Sequence, residues 1–310
     1  MNPRRLATLP GLEWKARYVM EGFLPGLHGS PFHGASVEFR DYREYQPGDD
    51  PRRLDWRLYA RNDRLYVRRY EQETNARAYL LCDASASMGY RGRKAWGSKL
   101  EAAQVLALAV GWMLIGQSDA VGLMALDADS SRLRYVRPSQ KSHQSGLLRR
   151  ELEAVRVGGG PALSRLLEHA ARIAPRRGLM LLFTDLLEPE DAVVQGLRRL
   201  RFDGHECVCF QVLDGDEIDF PFTESAVFED METGERRRVA GRDVRATYRA
   251  RFTAFQNEWR DRLRDLDIHH AVVRTDEDPA AVLRGLFSTQ RSVSTARARS
   301  GSPRAEGRPR

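Results

Sequence analysis

The stretch that decides the fold is Leu80–Met88, LLCDASASM, in which a short apolar run ends in an aspartate and two serines follow at alternate positions. The apolar run predicts a buried strand, so Asp83 lies where the chain leaves the sheet. Open α/β folds bind ligands at this carboxyl edge. A carboxylate and two hydroxyls directed at one point, from Asp83, Ser85 and Ser87, suit a hard cation such as Mg²⁺ or Mn²⁺. The same short pattern also fits a serine-rich turn with a capping aspartate.

A second carboxylate lies at the end of another predicted strand. Leu179–Asp185, LMLLFTD, is a continuous apolar run that ends in an aspartate. Such a run is typical of a strand that is covered on both faces. Two strand-end aspartates favour a cation site over a simple turn, and they make Asp185 the fourth candidate ligand.

Strand and helix patterns alternate from residue 79 to residue 287. This alternation predicts an α/β domain with a doubly wound, mostly parallel sheet and right-handed crossovers. A hairpin insertion is predicted near residues 220–239, around Glu232–Glu235. The predicted strands span residues 78–82, 120–126, 133–136, 178–184, 206–213 and 268–273, and the predicted helices span residues 99–116, 142–155, 162–174, 189–202, 242–266 and 279–286.

Two further segments flank this domain. Residues 1–78 are rich in Arg, Tyr, Gly and Pro and are predicted to form an N-terminal accessory segment, with a helix over Leu12–Phe23. Few stretches of this segment could bury a core of their own, so it is expected to pack against the α/β domain. Residues 288–310 have almost no bulky apolar side chains and are predicted to be a disordered basic tail.

The net charge of +7 comes mainly from this tail, which holds six Arg and one Glu. The other 287 residues carry 44 basic and 42 acidic side chains and are nearly balanced. Within residues 1–77, 14 basic and 11 acidic side chains are interleaved, which favours a charged docking face over a groove for a polyanion. Nucleic-acid binding through the Arg- and Tyr-rich segment and the basic tail stays open as an alternative.

Three features predict a cytoplasmic protein. The three cysteines, Cys82, Cys207 and Cys209, lie in apolar runs without Cys-x-x-Cys spacing, as expected of buried thiols in a reducing compartment. The first residues lack the apolar core of a signal peptide. The longest apolar run, Val105–Ile115, is too short to span a membrane and is predicted to be part of a core helix.

The motifs of three enzyme classes are incomplete, so the chain is predicted not to be an enzyme. Phosphatases with an Asp-x-Asp motif need an acid where this chain has Ser85. The nucleophile elbow Gly-x-Ser-x-Gly of serine hydrolases does not occur in the sequence. Gly158–Gly160 lacks the Gly-Lys-Ser/Thr that a phosphate-binding loop requires.

Three segments resemble the signature of a bacterial family, Domain of Unknown Function 58: His28–Gly34 (HGSPFHG), Glu38–Asp50 (EFRDYREYQPGDD) and Leu54–Arg61 (LDWRLYAR). The resemblance extends over nearly everything from Leu12 to Phe287. Members of that family are similar to von Willebrand factor A domains, and many are encoded beside MoxR-type AAA+ ATPases. The resemblance therefore implies a von Willebrand factor A-like fold and a MoxR-type AAA+ ATPase as partner, in assembly or activation of another complex.

The same resemblance implies a metal-ion-dependent adhesion site. In such sites an Asp-x-Ser-x-Ser motif, a threonine from a second loop and an aspartate from a third surround one divalent cation. Asp83, Ser85 and Ser87 match the first element, and Asp185 matches the last. The middle element departs, because Gly158–Leu163 reads GGGPAL, with Pro161 near the expected threonine and no hydroxyl before Ser164. Since Mg²⁺ normally keeps several waters, water can replace that one neutral ligand.

The predicted function is therefore non-catalytic: a partly exposed Mg²⁺ or Mn²⁺ ion accepts a carboxylate from a partner protein. The contrasting hypothesis is a metal-independent docking scaffold. In that hypothesis residues 28–71 form the docking face, and the aspartates only cap turns.

Overall fold

A computed structural model describes residues 2–23, 37–45, 54, 56–62, 64–72, 77–126, 132–158, 162–188 and 190–286. The chain forms two compact units, one made of Met1–Phe32 and Arg77–Arg310 and the other of His33–Ala76. The predicted accessory segment, residues 1–78, is thus divided between the two units. The predicted tail, residues 288–310, lies outside the described residues.

In chain order the elements are α1 (Pro3–Thr8), α2 (Gly11–Phe23), β1 (Val37–Glu44), α3 (Trp56–Asn62), β2 (Tyr66–Gln72), β3 (Arg77–Cys82), α4 (Lys99–Gly116), β4 (Ala120–Leu126), β5 (Leu133–Ser139), α5 (Gln144–Ala154), α6 (Leu163–Ile173), β6 (Leu179–Thr184), α7 (Glu190–Phe202), β7 (Glu206–Leu213), α8 (Gly215–Asp219), β8 (Ser225–Glu229), β9 (Arg236–Ala240), α9 (Gly241–Asp265) and β10 (His269–Arg274). A 3₁₀ turn spans Ala86–Gly89. Residues 279–286 are helical.

The smaller unit contains an antiparallel pair of strands, β1 and β2, and the short helix α3. Two of the family-like segments, Glu38–Asp50 and Leu54–Arg61, supply most of β1 and α3. The third, His28–Gly34, lies outside the described residues.

The larger unit is built on a six-stranded sheet in the order β10-β7-β6-β3-β4-β5. Neighbouring strands are parallel except β4 and β5, which are antiparallel. Helices cover both faces of this sheet, which is the doubly wound arrangement. The prediction of an α/β domain with a doubly wound, mostly parallel sheet is confirmed.

Neighbouring side chains of β3 enter two separate cores. Leu80 belongs to the core that α2, α4 and α5 close on one face, whereas Leu81 belongs to the core that α6, α7 and α9 close on the other. Both side chains are fully buried. Because each face of the sheet is covered, the strand appears in the sequence as an unbroken apolar run rather than as an alternating pattern.

Helix α4 is apolar on all sides because it lies between the sheet and α2. It is long and apolar enough to cross a membrane by length and composition, but 72% of its span is buried inside the fold. Within the described residues it therefore acts as the core helix predicted around Val105–Ile115.

The sheet order reverses between β3 and β6. From β3 the chain crosses to β4 on one side, and from β6 it crosses to β7 on the other. In open α/β sheets a crevice forms at the carboxyl ends of the strands at such a switch point. The residues that directly follow these two strands are Asp83 and Asp185.

A two-stranded antiparallel hairpin, β8 and β9, is inserted between α8 and α9 and packs on α9. Three aromatic rings pack at its base, where Phe228 lies 5.6 Å from Phe220 and 5.3 Å from Phe222 between ring centroids. The residues that join the two strands, Asp230–Glu235, are called the hairpin tip below. The tip is the part of the insertion that reaches the carboxyl edge of the sheet.

A pair of glycine substitutions tests the close pairing of β5 with β4 at the edge of the sheet. A Cβ atom at Gly122 would lie 2.6 Å from the backbone oxygen of Val136, whereas one at Gly146, in α5, meets no atom within 4 Å. We expect Gly122→Ala to lower the free energy of unfolding by about 1–3 kcal/mol, because the backbone of β5 must move. Gly146→Ala is expected to raise it by about 0.5–1 kcal/mol, since alanine favours the helix. Urea unfolding of both variants measures the difference, and equal midpoints would contradict the described packing.

Candidate cation site

The structure brings the two strand-end aspartates together at the switch point. Cys82 pairs with Phe183 in the parallel register, and the amide of Asp83 donates to the Phe183 carbonyl oxygen at 3.0 Å. Asp83 and Asp185 are both almost completely buried. Their carboxylates are close enough that Asp185 is a cause of the raised pKa of Asp83.

The carboxylate of Asp83 is oriented by two hydrogen bonds from neighbouring residues. Its Oδ1 accepts from the amide of Ser85 at 2.9 Å, and its Oδ2 accepts from the hydroxyl of Thr184 at 2.6 Å. Thr184, which was not predicted as a site residue, is the last residue of β6 and is fully buried. Its position directly before Asp185 at the end of an apolar strand is the signal that could have identified it.

The two serines present their hydroxyls side by side. Ser85 Oγ lies 3.2 Å from Ser87 Oγ, and both side chains are buried at the wall of a cavity. Two ligands at adjacent corners of an octahedron around Mg²⁺, with bonds of about 2.1 Å, lie about 3.0 Å apart. The two hydroxyls are within hydrogen-bond distance of each other, and the same spacing is compatible with one small divalent cation.

Asp185 already has a cationic partner, Lys99, which the sequence did not predict. The Lys99 ammonium donates to Asp185 Oδ2 at 2.8 Å and to Glu217 Oε1 at 2.7 Å, and its side chain is fully buried. Burial alone would lower the pKa of Lys99, but the two carboxylates outweigh it and hold the pKa above its ordinary value. The other oxygen of Asp185 accepts from the amide of Leu187 at 3.0 Å. Both carboxylate oxygens of Asp185 therefore already have partners within the fold.

A signal for Lys99 was present in the sequence. The lysine begins α4, directly after the N-cap Ser98. A positive charge at a helix N-terminus is opposed by the helix dipole. A lysine in this position, at the start of a largely apolar helix, indicates an anionic partner nearby.

The charge at Asp83 is not balanced in the same way. Among the described residues no cationic side chain pairs with it. Burial, and then the charge of Asp185, raise the pKa of Asp83 to about 7. An uncompensated buried carboxylate beside two hydroxyls is a place where a cation would be stabilised.

Three of the four predicted ligands, Asp83, Ser85 and Ser87, therefore fit a divalent cation. Asp185 adds negative charge nearby but shares it with Lys99. No group of three or more His, Cys, Asp or Glu in the described ranges is arranged to hold a metal. A cation here would consequently depend on the serine hydroxyls and on water for most of its shell.

The loop in which the sequence lacks the expected threonine is described only in part. Gly159, Gly160 and Pro161 lie outside the described residues. Gly158 is described, and its amide donates to the carbonyl oxygen of Ala84 at 2.8 Å, which places this loop beside the Asp-x-Ser-x-Ser turn. Ser164 does not replace the threonine. Its hydroxyl and its amide both donate to the carboxylate of Glu188.

The hairpin tip reaches the same turn. Glu232 Oε1 accepts a hydrogen bond from the amide of Ser87 at 2.9 Å, although the two residues are 145 positions apart in the sequence. The sequence predicted the hairpin around Glu232 but did not place it at the site. No local pattern connects a turn glutamate with a distant serine.

A cavity of about 810 Å³ opens beside Ser85 and Ser87, between the hairpin, α9 and the edge of the sheet. One part of its lining is aromatic or apolar, and the other part is acidic. Among the described residues that line it there is no lysine or arginine. The apolar residues are Tyr90, Leu187, Phe220, Phe222, Ala226, Val227, Phe228, Met231 and Tyr248, and the acidic residues are Glu188, Asp216, Glu217, Glu229, Asp230 and Glu232.

Comparisons with known proteins give three findings. The family model described as "Protein of unknown function DUF58" matches residues 41–262. "Uncharacterized protein Rv1480" of Mycobacterium tuberculosis is 27% identical over 237 residues, which cover 75% of this chain and 73% of that protein. "Uncharacterized protein Mb1516" of Mycobacterium bovis matches with the same identity and coverage.

Two solved structures also match most of this chain, both with TM-scores below 0.5. The conserved hypothetical protein BatB from Bacteroides thetaiotaomicron has a TM-score of 0.41 and 14% identity, covering 70% of this chain and 99% of its own. The SpRpn10 VWA domain has a TM-score of 0.38 and 11% identity, covering 69% of this chain and 94% of its own.

Proposed function

The chain belongs to the family described as Protein of unknown function DUF58, and from this premise we propose that it is a non-catalytic protein-interaction domain that binds its partner through a divalent cation. The cation is Mg²⁺ or Mn²⁺, and the residues that would hold it are Asp83, Ser85 and Ser87, with Asp185 contributing charge. The observation that carries the proposal is the pair of serine hydroxyls, 3.2 Å apart, beside a buried carboxylate without a cationic partner among the described residues.

Each residue has a distinct role in this proposal. Asp83 supplies the negative charge that holds the ion, and Thr184 and the Ser85 amide orient its carboxylate. The hydroxyls of Ser85 and Ser87 position the ion at the wall of the cavity. When bound, the cation offers an open coordination position to an acidic side chain of a partner protein.

The partner we propose is a MoxR-type AAA+ ATPase, in assembly or activation of another complex. The support for this partner is the resemblance of Glu38–Asp50 and Leu54–Arg61 to the signature of a family often encoded beside such ATPases. The cavity beside the cation site is large enough to receive several side chains of a partner.

Removal of Asp83 tests the cation site directly. We expect the purified protein to bind Mn²⁺ in a calorimetric titration, and Asp83→Ala to abolish this binding, because the ion loses its main source of negative charge. Asp191→Ala is the matched control, since Asp191 is an exposed aspartate in α7. A Mn²⁺ signal that persists unchanged in Asp83→Ala would contradict the proposed site.

Co-purification tests the partner. A MoxR-type AAA+ ATPase is expected to be retained in Mg²⁺ and lost in EDTA, and Asp83→Ala is expected to lose it in both buffers. Asp191→Ala should behave as the wild type. Retention by wild type and Asp83→Ala in both buffers would reject the cation bridge.

The second candidate is metal-independent docking, and one observation favours it. Lys99 places a positive charge on Asp185 inside the fold, so part of the electrostatic role of a metal is already filled. The docking face predicted for this second candidate, residues 28–71, lies partly outside the described residues. The basic tail, on which the nucleic-acid alternative depends, lies wholly outside them. The co-purification experiment separates these candidates, because only the cation bridge is sensitive to EDTA.

A further inference from the structure

The hairpin tip contacts the turn that carries the two serines at two points. Glu232 Oε1 accepts from the amide of Ser87 at 2.9 Å. The terminal methyl carbon of Met231 lies beside Gly89, 3.5 Å from where a Cβ atom of that residue would be. The tip therefore covers the 3₁₀ turn Ala86–Gly89 with one polar and one apolar contact.

The position of Glu232 is determined by the fold of the tip. Asp230 Oδ1 accepts from the amides of Glu232 at 2.8 Å and Thr233 at 3.1 Å. The amide of Gly234 donates to the carbonyl oxygen of Asp230 at 2.7 Å, with a left-handed φ of +74° at the glycine. These bonds make a tight turn that directs one carboxylate toward the serines. The aromatic contacts of Phe228 hold the strands below it.

This placement brings a further carboxylate to the turn that carries the two serines. Glu232 accepts from the amide of Ser87, and Glu232 and both serines line the same cavity. Among the described bonds only one oxygen of Glu232 is used, so the other remains available. A cation held by Asp83 and the serine hydroxyls would attract this second oxygen.

We propose that Glu232 is an internal ligand of the cation site and occupies the position that an acidic side chain of a partner would take. The inference rests on the proposed function, because it assigns an additional residue to the same site. An internal carboxylate is present at a high effective concentration, so it competes with any external one. A partner therefore binds only when the hairpin tip moves away from the serines.

The test uses the full chain, Mn²⁺ alone as probe, and Glu232→Gln, which removes the charge and keeps a hydrogen-bond acceptor. The matched control is Glu229→Gln, because Glu229 lines the same cavity but pairs with Arg236 at 2.8 Å. We expect Glu232→Gln to weaken Mn²⁺ binding about tenfold or more, since ligand charge sets the affinity for hard cations. Glu229→Gln is expected to stay within about twofold of the wild type, because its charge lies outside the ligand set.

Water proton relaxation gives a second, independent measurement. If Glu232 ligates the ion, its removal admits one more water, so bound Mn²⁺ in Glu232→Gln should relax water protons faster than in the wild type. Added acetate should reverse this increase in Glu232→Gln and leave the wild type unchanged.

The outcomes separate the two proposals. Equal Mn²⁺ affinity and equal relaxation in Glu232→Gln and wild type would overturn the internal ligand, while loss of binding in Asp83→Ala would still support the cation site. If wild type binds no Mn²⁺, or binds Mn²⁺ that Asp83→Ala does not remove, both proposals fail.

Discussion

Lys99→Met is expected to lower the free energy of unfolding by about 3–5 kcal/mol, because it leaves the buried carboxylate of Asp185 and the partly buried carboxylate of Glu217 without their shared cation. The Lys99 ammonium donates to Asp185 and Glu217 at 2.8 and 2.7 Å, and it is fully excluded from solvent. Urea unfolding measures the loss. Lys94→Met is the matched control, since Lys94 is exposed only five positions earlier and should change the stability by less than about 0.5 kcal/mol.

A rescue experiment identifies the cause of that loss. Adding Asp185→Asn to Lys99→Met removes one of the stranded charges and is expected to recover part of the stability. Mg²⁺ should also stabilise Lys99→Met more than the wild type, because the ion can replace the missing ammonium beside Asp185. A loss that neither Asp185→Asn nor Mg²⁺ reduces would mean that packing of the lysine stem, rather than its charge, is responsible.

The second large effect is a pH dependence of stability that comes from Asp83. Burial and the charge of Asp185 raise the pKa of Asp83 to about 7 in the folded chain, whereas an unfolded aspartate has a pKa of about 3.9. Between these values the folded state binds more protons than the unfolded state. Stability from this group is therefore present at low pH and is lost as the pH rises toward 7.

The magnitude follows from about 1.4 kcal/mol for each pH unit. In EDTA, raising the pH from 5 to 8 should destabilise the wild type by up to about 3 kcal/mol relative to Asp83→Asn, which cannot ionise. Mg²⁺ should restore much of this loss at pH 8, because it compensates the carboxylate. Urea midpoints at the two pH values give the result, with Asp191→Asn as the control. Parallel pH profiles for wild type and Asp83→Asn would show that Asp83 is not electrostatically strained.

The two predictions concern two carboxylates of one site, Asp185 and Asp83, whose charges are compensated in different ways. Asp185 is neutralised by a lysine of the chain, whereas Asp83 has hydrogen bonds but no cationic partner in the described part of the chain. A site built in this way needs a smaller contribution from a metal than one with two free carboxylates.

The helices and strands were largely predictable because their signals are local. The sequence predicts a helix over residues 99–116, and α4 spans Lys99–Gly116. It predicts strands ending just before Asp83 and Asp185, and β3 and β6 end there. The short helices α1, α3 and α8 were not predicted, since each has two turns or fewer and only a weak pattern.

The interactions that define the site were not predictable in the same way, because they join distant parts of the chain. Lys99 contacts Glu217 across 118 positions, and Ser87 contacts Glu232 across 145. Hydrophobic periodicity reports which face of an element is buried, but it carries no information on which charged side chains meet.

The sequence by itself determined the α/β class and the two aspartates at strand ends, because unbroken apolar runs are stable only between two layers of helices. The motif Asp83-Ala84-Ser85-Ala86-Ser87 likewise predicted two hydroxyls near one carboxylate. Only the tertiary structure decided how these charges are compensated. Pairing depends on which side chains the strand order and the hairpin bring within a few ångströms, so the roles of Lys99 and Glu232 emerged only once the sheet was assembled.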